Sequence, residues 1–342
     1  MASTANKLPR EATQQSILTT LGNIKDALTA HNTAFNAWGG ALSTLTTGEK
    51  SSLVGAINYI MAQANSQAST ISAMSDIYSL LDEASTTETG AGIHNSLYRG
   101  KSLGSALTDT QIAAINAHTF KDVWVGDYLS KSITFERTVA NTGGDDTTTS
   151  VTITSTMRVA DNDYYRRAGD TDLTTGHTVF VPDAVLYTSC MNKTNTTTGG
   201  YVGSGMYAKY LDGAKNAFNA FFGAAHILSH REYLVNAVSD GKPTGGAWYD
   251  STVELMDECQ VFGSLIFDSG NPDGSSVPNR YSVSCKQFNL FRHRPDLISD
   301  RQYYWLRNVV SPASFAYVGN NGTCCYYGAS YVRGVRPLAL IH

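Results

Sequence analysis

The chain is poor in charge, proline and cysteine. Of its 342 residues, 16% are charged, eight are Pro and five are Cys. Lys and Arg number 25 against 29 Asp and Glu, for a formal net charge of -4. Without a basic excess there is no cationic face for phosphates, so no nucleic-acid partner is expected. No apolar run approaches the ~18 residues of a membrane span, so no membrane insertion is expected. The opening MASTANKLPREATQQ lacks the apolar core of a secretion signal. An odd cysteine count (Cys190, Cys259, Cys285, Cys324 and Cys325) makes a poor disulfide framework. No CxxC pair offers a thiolate zinc site, and a bridge between neighbouring Cys324 and Cys325 would be strained. All five are read as reduced, as in a protein folded inside a cell.

What is abundant is Gly (30), Tyr (19) and small polar residues, a composition suited to an adhesive surface. The length suggests two domains, or one domain and an extension.

Residues 1–95 carry a heptad pattern. Ile17, Leu21, Ile24, Leu28, His31, Phe35, Trp38, Leu42 and Leu45 recur at steps of four and three. A second run contains Leu53, Ile57, Ile60, Gln67, Ile71 and Leu81. Thr46-Thr47-Gly48-Glu49-Lys50 separates the two, with Gly48 as breaker and Ser51 or Thr47 as cap. So narrow a stripe needs a helical partner. That partner is either the second run folded back antiparallel, or other copies in a homo-oligomeric coiled coil. Mixed Ile and Leu on the seam permits a homotrimer. His31 and Gln67 would then fix register or hold an ion or water at the axis.

Residues 96–342 read as one α+β domain that displays loops. A helix is expected within 97–121, starting at Thr108-Asp109, and another over 204–222. Strands are expected at 123–129, 178–182, 226–229 and 303–307. Residues 132–140 and 150–159 alternate apolar and polar on either side of a turn-forming loop, so they read as a hairpin.

Two segments carry resemblances. Leu45-Thr-Thr-Gly-Glu-Lys-Ser-Ser-Leu-Val-Gly-Ala-Ile-Asn58 resembles a phrase of bacteriophage tail-fibre and baseplate proteins, where it sits at a trimeric shaft. Tyr304-Trp-Leu-Arg307 and Gly334-Val-Arg-Pro337, with Gly126-Asp-Tyr, Val181-Pro-Asp183 and Ala247-Trp-Tyr-Asp-Ser251, resemble the C-type-lectin-like fold of retroelement-diversified variable proteins. The second resemblance covers about residues 97–342. It implies that the residues between the two closing motifs form a binding surface on a fixed scaffold. The same broad fold includes formylglycine-generating enzymes, but their reactive cysteines are separated in sequence. Adjacent Cys324 and Cys325 depart from that pattern.

The 25 residues between Arg307 and Arg333 contain no Lys, Glu, Gln, Met or Trp. All can be encoded by codons ending in a pyrimidine, as adenine-directed diversification of Asn-type codons would leave them. Tyr, Ser, Gly and Asn dominate, which is paratope chemistry. The expected ligand-binding residues are Tyr317, Asn320, Asn321, Thr323, Tyr326, Tyr327, Ser330 and Tyr331.

Catalytic motifs are missing. No GxSxG or P-loop occurs. His226 and His230 are spaced i, i+4, but no Glu follows His226, and they read as structural. Asp250, Glu254, Asp257 and Glu258 read as a solvated helix face. Asp161, Asp163, Asp170 and Asp172 offer oxygen donors without EF-hand spacing. No enzyme activity, cofactor or metal is expected.

The resulting expectation is a phage virion protein, assembled in the host bacterial cytoplasm. Its stalk (1–95) would trimerise and bind other virion proteins. Its C-type-lectin-like domain (96–342) would bind a host cell-surface protein or glycan. The competing expectation is a head-fibre or capsid decoration protein with no receptor of its own.

Overall fold

The computed structural model describes residues 90–140, 144–268 and 286–342, with positions 19, 22–23, 25–31, 33 and 65–69 nearer the N-terminus. The chain divides into two compact units, Met1–Thr87 and Glu88–His342.

In the first unit, residues 25–31 and 65–69 are helical. Thr29 Oγ1 donates to Lys25 O one turn back, at 2.8 Å. Leu28 stands 42% exposed on this helix. The other expected oligomerisation residues (Ile17, Leu21, Ile24, Phe35, Leu53, Ile57, Ile60 and Ile71) lie outside the described residues. No helix among the described residues is long and apolar enough to cross a membrane.

The second unit is α+β. One five-stranded sheet runs β1 (Tyr128–Val139), β2 (Thr147–Asn162), β3 (Thr178–Pro182), β12 (Pro337–Ile341), β7 (Val253–Leu255). The other runs β10 (Cys324–Gly328), β9 (Ser314–Val318), β8 (Tyr304–Ser311), β11 (Arg333–Val335), β4 (Tyr187–Ser189). β5 (His230–Ser239) and β6 (Lys242–Ser251) form a separate two-stranded ribbon. The core holds Trp305, Phe180, Phe218, Phe288, Phe291 and Phe315.

Local sequence explains most elements. β1 and β2 pair without a shift from Tyr128↔Arg158 to Val139↔Thr147, because Leu129, Ile133 and Phe135 place apolar groups on one face. The helix at Asp109–Asn116 begins with a capping box: Thr108 Oγ1 accepts from Gln111 N, and Gln111 Oε1 accepts from Thr108 N. The turn Ala91–Asn95 belongs to this unit, since Asn95 Nδ2 donates to Asp161 at 2.9 Å and buried His94 packs on Trp124.

Four expectations need correction. Residues 123–127 form turns, and the strand starts only at Tyr128. The cause is Asp127, whose buried carboxylate accepts the backbone N–H groups of Trp124 (2.8 Å) and Lys101 (2.9 Å) and pairs with Arg99. The helix expected over 204–222 is a π-turn, Met206–Tyr210, followed by a helix at Asp212–Phe222. Leu211 N–H reaches five residues back to Met206 O at 2.8 Å. In 226–229, Ala224–His226 is a 3₁₀ turn and only Ile227 makes a ladder bridge, to Ile341. Finally, Asp250, Glu254, Asp257 and Glu258 share no helix face. Asp250 lies on β6, Glu254 on β7, and Asp257 caps the helix Glu258–Phe262. All but Asp250 are buried.

Candidate ligand-binding face

The face is built by β8, β9 and β10, with β10 outermost among the described strands. Cys325 stands opposite Tyr317 on β9, and Tyr317 opposite Trp305 on β8. The β9–β10 turn is fastened by backbone. Gly319 N–H donates to Thr323 O at 2.8 Å, and Gly322 takes φ +85°. Asn321 Oδ1 accepts from Thr323 Oγ1 at 2.8 Å, and Ser299 Oγ donates to Asn320 O at 2.8 Å.

Of the eight expected site residues, Asn320, Asn321, Thr323, Tyr326, Tyr327 and Tyr331 are exposed. Tyr317 is 9% exposed and Ser330 6%. The Tyr317 ring meets Tyr303 and Trp305 edge-on. Ser330 gives both its N–H and its hydroxyl to Asn195 Oδ1, at 3.0 and 2.8 Å. These two support the face from beneath.

Alternation along β10 divides the rest. Tyr326 packs on Phe267, with ring centroids 5.0 Å apart. Tyr327 packs edge-on against Tyr331 at 4.3 Å. On the Tyr327 side lie Cys325 and Thr323, whose Sγ and Oγ1 are 3.5 Å apart. On the Tyr326 side, Cys324 Sγ lies 3.5 Å from Glu258 Oε1. Burial there, with the Glu258 carboxylate, pushes the Cys324 thiol well above the ordinary thiol range.

Two further residues of the candidate face escaped the sequence reading. Arg333 sits with its guanidinium carbon 4.8 Å from the Tyr303 ring centroid, 5.0 Å from that of Tyr317 and 5.2 Å from that of Tyr327. Tyr303 is 43% exposed. Both flank the Tyr-rich segment, and that adjacency was the available signal.

A second polar constellation lies inside the domain. Arg307 Nη2 donates to Glu232 Oε2 (3.1 Å) and Asp257 Oδ2 (3.0 Å). Glu232 also accepts from the Tyr165 hydroxyl and faces His230 Nε2 at 3.3 Å. Glu254 accepts from the Tyr201 and Ser251 hydroxyls at 2.8 and 2.7 Å. Burial opposes ionisation of Glu232, but Arg307, His230 and Tyr165 together outweigh it and hold the carboxyl down to about 2. One guanidinium does not neutralise three carboxylates, and burial raises Asp257 and Glu254. These groups are closed off from solvent, so the cluster is a structural tie between β5, β7 and β8.

His226 and His230 do not converge: Nδ1 of His226 lies 3.0 Å from His342 O, while His230 is buried beside Glu232. Among the described residues, no three His, Cys, Asp or Glu side chains come together as metal ligands. Comparison with protein families, with characterised proteins and with solved structures finds no match to this chain.

Proposed function

We propose that this protein is a phage virion component that binds a host cell-surface ligand through the face built on residues 308–332. One observation carries the reading. Of eight exposed large apolar side chains among the described residues, four (Tyr303, Tyr327, Tyr331 and Val332) gather around Arg333, and a fifth, Tyr326, lies on the other side of β10. Exposed apolar groups scattered singly need no explanation, whereas a cluster marks an interaction surface. Tyr offers contact area at small entropic cost, as in antibody paratopes. About 20–30 residues a side make an ordinary interface.

In this reading the domain is C-type-lectin-like, and the N-terminal heptads form a homotrimeric coiled coil that joins it to other virion proteins. The unbroken heptad spacing of the seam supports a helical partner. Three heads on one stalk multiply a weak single-site affinity. Replacing Tyr326, Tyr327 and Tyr331 with Ala should abolish adsorption of the purified protein to host cells while leaving a folded oligomer. Undiminished adsorption would refute the assignment. A protein that coats the particle and never binds cells would instead be a head-fibre or decoration component.

A further inference from the structure

Arg333 differs from those arginines of the domain that carboxylates neutralise. Arg99, Arg158, Arg231, Arg294 and Arg307 each pair with a carboxylate. Arg336, three residues on, is buried and donates to the carbonyls of Pro182, Leu297 and Ile298. Arg333 has neither arrangement. Its Nη1 donates to Val332 O at 3.2 Å, and its Nε is buried with no partner. No carboxylate among the described residues lies within ion-pair distance of it. Three tyrosine rings hold the guanidinium in place instead. A cation so fixed has lost its side-chain freedom in advance, and its planar fork matches a carboxylate.

The surroundings narrow the ligand further. Tyr303, Tyr327 and Tyr331 are 43%, 42% and 45% exposed. Each offers a ring face for apolar contact and a phenol for hydrogen bonding. Among the exposed large apolar side chains of this face, Val332 is the one that is not a tyrosine. A sugar ring has the complementary make-up, one C–H face and a rim of hydroxyls. Resting on the receptor-binding reading above, we infer that this face takes an acidic saccharide: its carboxylate pairs with Arg333, and its ring stacks on the tyrosines. The neighbouring turn, with Asn321 and Thr323, supplies further polar contacts to the same ligand.

The test is equilibrium binding of the full chain to oligosaccharides ending in a sialic or a uronic acid, and to the same compounds with the carboxyl reduced to an alcohol. Saturable binding to at least one acid, weakened about tenfold or more by reduction, is expected for loss of a charge-assisted pair; which acid binds identifies the source. Reduction alters the ligand alone, so misfolding of a variant cannot mimic it. Arg333→Gln should match the loss, and Arg333→Lys should restore part of it. Equal binding of acid and alcohol, no binding to any probe, or binding only to a glutamate-rich peptide would overturn the inference. Host-cell adsorption measured in parallel separates the two claims. If adsorption persists while every saccharide fails, only the ligand class falls; if both fail, so does the receptor-binding reading.

Discussion

Tyr326 and Tyr327 are consecutive on β10 and look in opposite directions, one onto Phe267 and the other onto Tyr331. A single strand thus contributes to two surfaces, and only the Tyr327 surface contains Arg333. Tyr327→Ala should therefore weaken ligand binding by about 1–2 kcal/mol or more, as truncation of a tyrosine hot spot does. Tyr326→Ala should cost clearly less. Isothermal titration of both variants checks the order, and a reversed order would move the binding face to the Phe267 side.

The same alternation separates Cys324 from Cys325. Cys324 lies against Glu258, and its thiol is held protonated; Cys325 lies on the tyrosine side with Thr323. Alkylation of the folded protein near pH 8, read by peptide mass spectrometry, should label Cys325 faster than Cys324, because only the thiolate reacts. The bridged pair should not accumulate under mild oxidation.

Breaking the Arg307 cluster should strongly destabilise the second unit. Arg307→Met leaves Glu232 and Asp257 buried beside no cation, which typically costs about 3–5 kcal/mol. Adding Glu232→Gln should recover part of that loss. Urea unfolding of the single and double variants measures both, and strictly additive losses would contradict the pairing.

Buried histidines should make the fold sensitive to acid. Burial holds His177 down to about 3 and His94 to about 4, from an ordinary 6.5. His177 Nε2 accepts from Tyr165 N–H while Nδ1 faces Thr175 O, so its neutral form is the one bonded. A lowered histidine pKa contributes stability in full above pH 6.5, and loses it as pH falls toward 4 and then 3. The slope is about 1.4 kcal/mol per pH unit for each histidine. Glu232, lowered from 4.5, adds its own loss only below that pH. Asp161 runs the other way: burial raises it from 3.8 to about 6, so its contribution is present below 3.8 and gone above 6. The histidine contribution to the urea midpoint should therefore fall between pH 6.5 and 4, against the opposite trend of Asp161, Asp257 and Glu254. His177→Gln should make the midpoint less sensitive to acid over that range, and an unchanged slope would show that His177 does not contribute to it.

What was legible in the sequence was local. The β1–β2 hairpin followed from alternation, and the helix at Asp109–Asn116 from its start signal Thr108-Asp109; the partners of both lie close by in sequence. The tyrosine enrichment of residues 308–332 was legible as composition. The misreadings were non-local. Glu254 and Asp257 looked solvated because Tyr201 and Arg307, which pair with them from some fifty residues away, give no local sign of doing so. Residues 123–127 looked like a strand because Asp127 draws in Arg99 and Lys101 from an earlier loop. Tyr317 and Ser330 looked like display residues, yet Trp305 and Asn195 claim them, and neither contact has a sequence period.

β12 lies inside its sheet, between β3 and β7, and not at the margin. Arg336, at its head, ties the carbonyls of Pro182, Leu297 and Ile298 together. During synthesis, β1, β2 and β3 emerge first and must wait, with one long side of β3 unfilled, until residue 341 has cleared the ribosome. The heptad region of 1–95 has by then long been outside. In the proposed trimer, chains could associate through that region before the C-terminal units close, and assembly order would then be a property of where one five-residue strand is inserted.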